Sequence, residues 1–147
     1  MKRKELLRVF VLLFILLTLS FIWSRSMKSR AESAAESAAV GAFLTPFLEW
    51  FVGEGNVTDH LVRKLAHFCE FGLLGVETAL WFSLREKHFR FPFGAALGFL
   101  AAAVDETIQL FVGRGSQFSD VLLDFCGFVC GMIGLRLLFW LKRKSEA

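Results

Sequence analysis

The stretch "VDETIQLFVGRGSQFSDVLLD", Val104 to Asp124, joins two long apolar runs. Gly113 to Ser119 reads as the polar loop expected at such a junction. Asp105, Glu106 and Gln109 nevertheless lie on the apolar side of one end, and Asp124 on the apolar side of the other. Working outward, the chain of 147 residues contains four stretches that approach the roughly 20 apolar residues a bilayer crossing needs. They are Leu6–Trp23, Leu65–Leu84, Phe91–Val112 and Val121–Leu141. The composition agrees, with 55% hydrophobic residues, 18 Phe, no Tyr and a mean hydropathy of +0.54. The expected fold is all-α: a single domain over 1–147, an integral membrane four-helix bundle with a partly helical extracytoplasmic loop at 24–60.

The net charge of +3 is not a nucleic-acid signal, because its distribution follows the spans. Lys2, Arg3, Lys4 and Arg8, then Arg85, Lys87 and Arg90, then Lys142, Arg143 and Lys144 fall on one side. Arg25, Lys28, Arg30, Arg63, Lys64 and Arg114 fall on the other, ten against six. The positive-inside rule then puts both termini in the cytoplasm of a multi-pass cell-membrane protein. The small-residue run "ESAAESAAVGA" lies too far behind the first apolar run for signal cleavage, so that run is expected to be an uncleaved anchor. Cys69, Cys126 and Cys130 fall inside spans without ligand spacing and read as buried small hydrophobes.

Within the loop, Val40, Phe43, Leu44, Phe47, Leu48 and Phe51 recur at helical spacing. Thr45-Pro46 reads as an interruption, with Thr45 as an N-cap and Pro46 at the first helical position. The segment 40–51 is open between two readings, a lid on the outer leaflet or a helix packed on the bundle. Thr58 or Asp59 is expected to cap the second span, and Ser119 or Asp120 the fourth.

The polar residues inside the spans gather at one end. Lys64, His67, Glu70, Leu74 and Glu77 share a face of the second span. Asp105, Glu106 and Gln109 occupy the last turns of the third, and Asp120 and Asp124 the start of the fourth. A rise of 1.5 Å per residue sets Glu70 and Glu106 roughly 8–9 Å below their helix ends. A charge at a span centre costs about 2.5–3.5 kcal/mol on insertion scales, so these groups need shared partners or a hydrated pocket. Carboxylates at a helix C-terminus also oppose the macrodipole, which leaves Asp105 and Glu106 unexplained by capping. Glu106 and Arg114 are expected to pair at the pocket's core; deeper in the bundle Glu77 and Arg136 lie at similar depth, and two readings stay open, an ion pair or Arg136 snorkelling to the interface with Glu77 protonated. Gly94/Gly98 and Gly127/Gly131 have GxxxG spacing and imply close helix approach, within one chain or between two.

At "KLAHFCEFGLLG", "VDETIQLFVGRGSQFSD" and "DVLLDFCGFVCG" the sequence resembles the VanZ-like family of bacterial membrane proteins, from about Lys64 to Gly134. The resemblance implies a four-helix envelope protein of a family whose name-giving member is associated with teicoplanin resistance. It carries over onto His67, Glu70, Asp105, Glu106, Gln109, Arg114 and Asp120. Phe71 stands where Tyr is common, Asp124 where Asn is common, and Val112 where Pro is often found.

The favoured function is binding of an envelope lipid headgroup, wall precursor or glycopeptide-type ligand by Lys64, His67, Glu70, Asp105, Glu106, Gln109, Arg114, Asp120 and Asp124. The alternative is a membrane hydrolase or transferase with His67, Glu70 and Glu106 as catalytic candidates. In that case Asp and Glu with His offer a possible divalent-metal set, but no cofactor or metal is expected from the spacing. Besides these ligands, the expected partner is the lipid bilayer, with no nucleic acid.

Overall fold

A computed structural model describes residues 3–85, 91–115 and 117–146. Lys2, most of the basic connection 85–92 and Ser116 lie outside them. The described residues form five α-helices: α1 (Arg3–Ser26), α2 (Arg30–Val52), α3 (Asp59–Arg85), α4 (Phe91–Phe111) and α5 (Phe118–Ser145). Three of these, α1, α4 and α5, are long and apolar enough to cross a membrane. The fourth expected span corresponds to α3. It has the length, but His67, Glu70 and Glu77 interrupt its apolar run.

α3 is the hub and packs on each of the other helices. Its closest partner is α5, and glycines set that approach. A Cβ at Gly127 would overlap the Phe68 carbonyl oxygen, and one at Gly131 the Gly72 carbonyl oxygen. From the α3 side, a Cβ at Gly75 would overlap the Phe128 carbonyl oxygen. Backbone therefore lies against backbone, and the Gly127/Gly131 face is spent within one chain. Gly94 and Gly98 of α4 face Met132 and the Phe128 ring of α5, so side chains occupy the groove they leave. Ile22, Phe71, Leu74, Ala102, Phe128 and Met132 fill the core between α1, α3, α4 and α5. The outward faces of α1 and of the end of α5 are apolar and exposed, as expected of surfaces that meet lipid tails.

The long connection is more ordered than its sequence implies. α2 begins at Arg30, behind a capping box in which Ser29 accepts from the Glu32 amide and the Glu32 carboxylate accepts from the Ser29 amide. The Ser29 hydroxyl and then the Ser29 amide, both donating to the Glu32 carboxylate, hold that carboxyl below its ordinary pKa. The helix runs through Pro46 without a break. Thr45 is not an N-cap; its hydroxyl donates to the Gly41 carbonyl 2.7 Å away. Ser33, Ser37 and Gly41, spaced four apart, form the buried face. The aromatic stripe points away from it, with Phe43 85% and Trp50 80% exposed, so 40–51 is not packed on the bundle through its aromatics.

Two further expectations change. The N-cap of α5 is Gln117, without a side-chain bond, and Asp120 turns to Lys64 instead. The three cysteines are free and face outward rather than into the core. Thr58 does cap α3, accepting from the Leu61 amide at 3.2 Å.

Candidate functional site

The ends of α1 and α4 and the beginnings of α2, α3 and α5 meet at one end of the bundle. Gly113 makes that possible. With φ of 73° it ends α4 in a left-handed conformation that glycine adopts without strain. The Gly113 amide then bonds Leu110 and the Arg114 amide bonds Gln109, a Schellman closure. The turn presents Arg114 to the chain's N-terminal elements. Its guanidinium donates to the Ser33 hydroxyl at 3.0 Å and to the Arg25 carbonyl at 3.3 Å. Arg30 closes the clamp from α2 by donating to the Arg114 carbonyl at 2.7 Å. Arg114 is itself buried, and that burial together with neighbouring Arg63 presses its pKa below the ordinary value.

The anticipated Glu106–Arg114 pair is not a direct contact. Glu106 is 3% exposed, and one of its oxygens accepts the Gln117 amide at 2.9 Å. Glu106 thus opposes the dipole of its own helix but ties down the positive end of α5, where a carboxylate is favourable. Its second oxygen is buried without a hydrogen-bond partner. Asp105 is fully buried and is met by Ser26 Oγ at 2.6 Å and Gln109 Nε2 at 2.8 Å. Asp124 is 2% exposed. His67 stands between the two aspartates, its Nδ1 3.8 Å from Asp105 and 3.9 Å from Asp124.

Above this acidic floor lies a cavity of about 520 Å³. Seven of the nine expected site residues line it: Lys64, His67, Glu106, Gln109, Arg114, Asp120 and Asp124. Asp105 sits behind the floor. Glu70 opens instead onto a small neighbouring void and faces Arg25, 3.5 Å away. Lys64 and Asp120 bridge α3 and α5 at 2.8 Å. Arg30, Arg63 and His60 also line the cavity, though the sequence pattern did not single them out. Ser26, Ser33 and Arg25 were missed as well. The available signal was the i, i+4 recurrence of Ser33 and Ser37 within "ESAAESAA". Deeper in the bundle, Glu77 finds its partner in Thr18 of α1, whose hydroxyl donates to it at 2.9 Å.

Apolar helices around a charged cavity at one end define a multi-pass membrane protein with a polar site enclosed by its own helix termini. The chain belongs to the VanZ/LLP1 family, whose model matches residues 9–140. No curated protein and no solved structure matches it.

Proposed function

We propose that this protein is a cell-envelope membrane protein that binds an anionic headgroup in the cavity, on the outer face of the membrane. The headgroup belongs to an envelope lipid or a lipid-linked wall precursor. Both termini are cytoplasmic, and α1, α3, α4 and α5 cross the bilayer as one four-helix domain. α3 crosses with its polar face turned to the other helices. The observation that carries the reading is that Arg30, Arg63, Lys64 and Arg114 all line the cavity. The Nε of Arg63 is buried without a hydrogen-bond partner, as is that of Arg114, whose terminal nitrogens are already engaged. A guanidinium in that state is suited to a phosphate or carboxylate fork. A headgroup held at this depth keeps its tails beside the exposed aromatic stripe of α2, which accords with a helix lying in the outer leaflet. Retention of surface precursors or lipids in this way is how the protein would contribute to glycopeptide (teicoplanin) resistance.

The test is binding of labelled anionic envelope lipids to purified protein in nanodiscs of neutral lipid. Saturable binding that Arg63→Gln weakens is expected. Equal binding by wild type and Arg63→Gln would sink the reading. Release of a product would favour the membrane hydrolase or transferase built on His67 with Glu70 and Glu106.

A further inference from the structure

We infer that His67, Asp105 and Asp124 form a binding site for one divalent transition-metal ion, of the Mn²⁺ or Zn²⁺ class, in the floor of the cavity. The three come from α3, α4 and α5, and each offers a ligand atom within 4.8 Å of the other two. The His67 contacts are too long for hydrogen bonds, at 3.8 Å and 3.9 Å. Metal–ligand bonds of about 2.1 Å set neighbouring donors roughly 3.4–3.6 Å apart. The two contacts need close by only a few tenths of an ångström to reach that spacing.

Independent observations point the same way. His67 Nδ1 is buried and has no hydrogen-bond partner, and Asp124 beside it is only 2% exposed. A nearby carboxylate oxygen of Glu106, on the same cavity, is also unpartnered and buried. An ion bound there would meet one imidazole nitrogen and an oxygen from each aspartate at once. Asp105 has the outer support that metal-ligating carboxylates usually have, from Ser26 and Gln109. Carboxylate oxygen with one imidazole nitrogen suits Mn²⁺ or Zn²⁺. Three protein ligands leave the remaining positions open toward the cavity, the arrangement of a site that exchanges water for a ligand rather than a closed structural one.

Metal binding is measured without any lipid ligand, so its outcome is separate from that of headgroup binding. Full-length protein in detergent is stripped with chelator and titrated with Mn²⁺, and bound ion is read by electron paramagnetic resonance. One ion per chain is expected, with a nitrogen coupling from an imidazole. His67→Ala and Asp124→Asn should each weaken binding about tenfold or more, and Ser26→Ala should weaken it through Asp105. Glu54→Gln, in the exposed turn after α2, should bind like wild type. Absence of saturable binding by folded wild-type protein to both Mn²⁺ and Zn²⁺ overturns the site. So does bound Mn²⁺ without the nitrogen coupling. That wild-type spectrum decides the matter even where a ligand variant fails to fold.

Discussion

The backbone contact between α3 and α5 makes Gly131→Ala the sharpest test of the packing. The added Cβ would overlap the Gly72 carbonyl oxygen and approach the Val76 amide nitrogen to 3.1 Å. Neither atom can rotate aside as a side chain would. Relief requires the two helix axes to move apart, which loosens Phe68, Phe71 and Phe128 along with them. Overpacking a core costs about 1–3 kcal/mol, and a backbone obstacle places this substitution near the upper end. Alanine's better helix propensity returns at most about 1 kcal/mol, and less where the unfolded chain stays helical in detergent. The net loss is therefore about 2 kcal/mol. Gly134 is the matched control, one turn on in the same helix, where an added Cβ meets nothing within 4 Å. Gly134→Ala should be neutral or slightly stabilising. The two variants should differ by about 2–3 kcal/mol, roughly a 30- to 150-fold change in the unfolding constant. Equilibrium unfolding by dodecyl sulfate in mixed micelles, followed by near-ultraviolet dichroism of the tryptophans, measures both. Equal midpoints for the two alanine variants would refute the close approach. Loss of an oligomer with unchanged chain stability would instead move the glycine face to a contact between chains.

Ser26→Ala should cost about 1–3 kcal/mol in the same unfolding assay, because it removes the hydroxyl that meets a fully buried Asp105; no change would mean another group already satisfies that carboxylate. Arg114→Lys keeps the charge but cannot bridge Ser33 and the Arg25 carbonyl together, so amide exchange at the start of α2 should accelerate and headgroup binding should fall. Unchanged exchange and binding would show that the clamp is dispensable. For the topology, Met27→Cys in a background with the three native cysteines replaced by alanine should react with an impermeant maleimide in intact cells, while a cytoplasm-active reporter fused after Ala147 is active. Labelling of Met27→Cys only after permeabilisation would reverse the orientation.

The apolar course of α1, α4 and α5 was legible because lipid demands long runs of one character, and such runs leave little ambiguity. The residues around the cavity stood out for the complementary reason: Asp105, Glu106, His67 and Asp124 are costly in those runs. What could not be read were the groups that answer them. Ser26 ends an apolar helix, and Ser33 sits in an alanine-rich segment; neither is costly there, so neither is conspicuous. Arg25, Arg30 and Arg63 looked like surface charge because their partners are far away in sequence. Thr45-Pro46 misled for a local reason. Proline removes one helical hydrogen bond and favours a first-turn position, yet α2 runs on through it, with the Thr45 hydroxyl engaging the preceding turn. Glu106 was correctly judged out of place in α4. Its tie to Gln117 depends on how the turn folds back, which periodicity does not encode.

Helix polarity sorts the charges at this end of the bundle into those that suit their helix ends and those that oppose them. The negative ends of α1 and α4 and the positive ends of α2, α3 and α5 converge here. Most charges obey the dipole rule. Arg25 closes α1 and Arg114 follows α4, while Glu32, Asp59 and Asp120 open α2, α3 and α5. Five residues break it. Arg30, Arg63 and Lys64 lie near the positive starts of α2 and α3, and Asp105 and Glu106 near the negative end of α4. Ordinary partners account for part of the cost: the Arg114 carbonyl for Arg30, Asp120 for Lys64, Ser26 and Gln109 for Asp105, and the Gln117 amide for half of Glu106. The remainder is specific. The Arg63 Nε and one Glu106 oxygen are both buried without a partner, and both residues face the same cavity. Local rules broken by charges of both signs, with an unmatched donor and acceptor left over, are what a site for an anion beside a cation requires. The proposed headgroup would answer Arg63, and the proposed metal ion would answer the carboxylates beneath it.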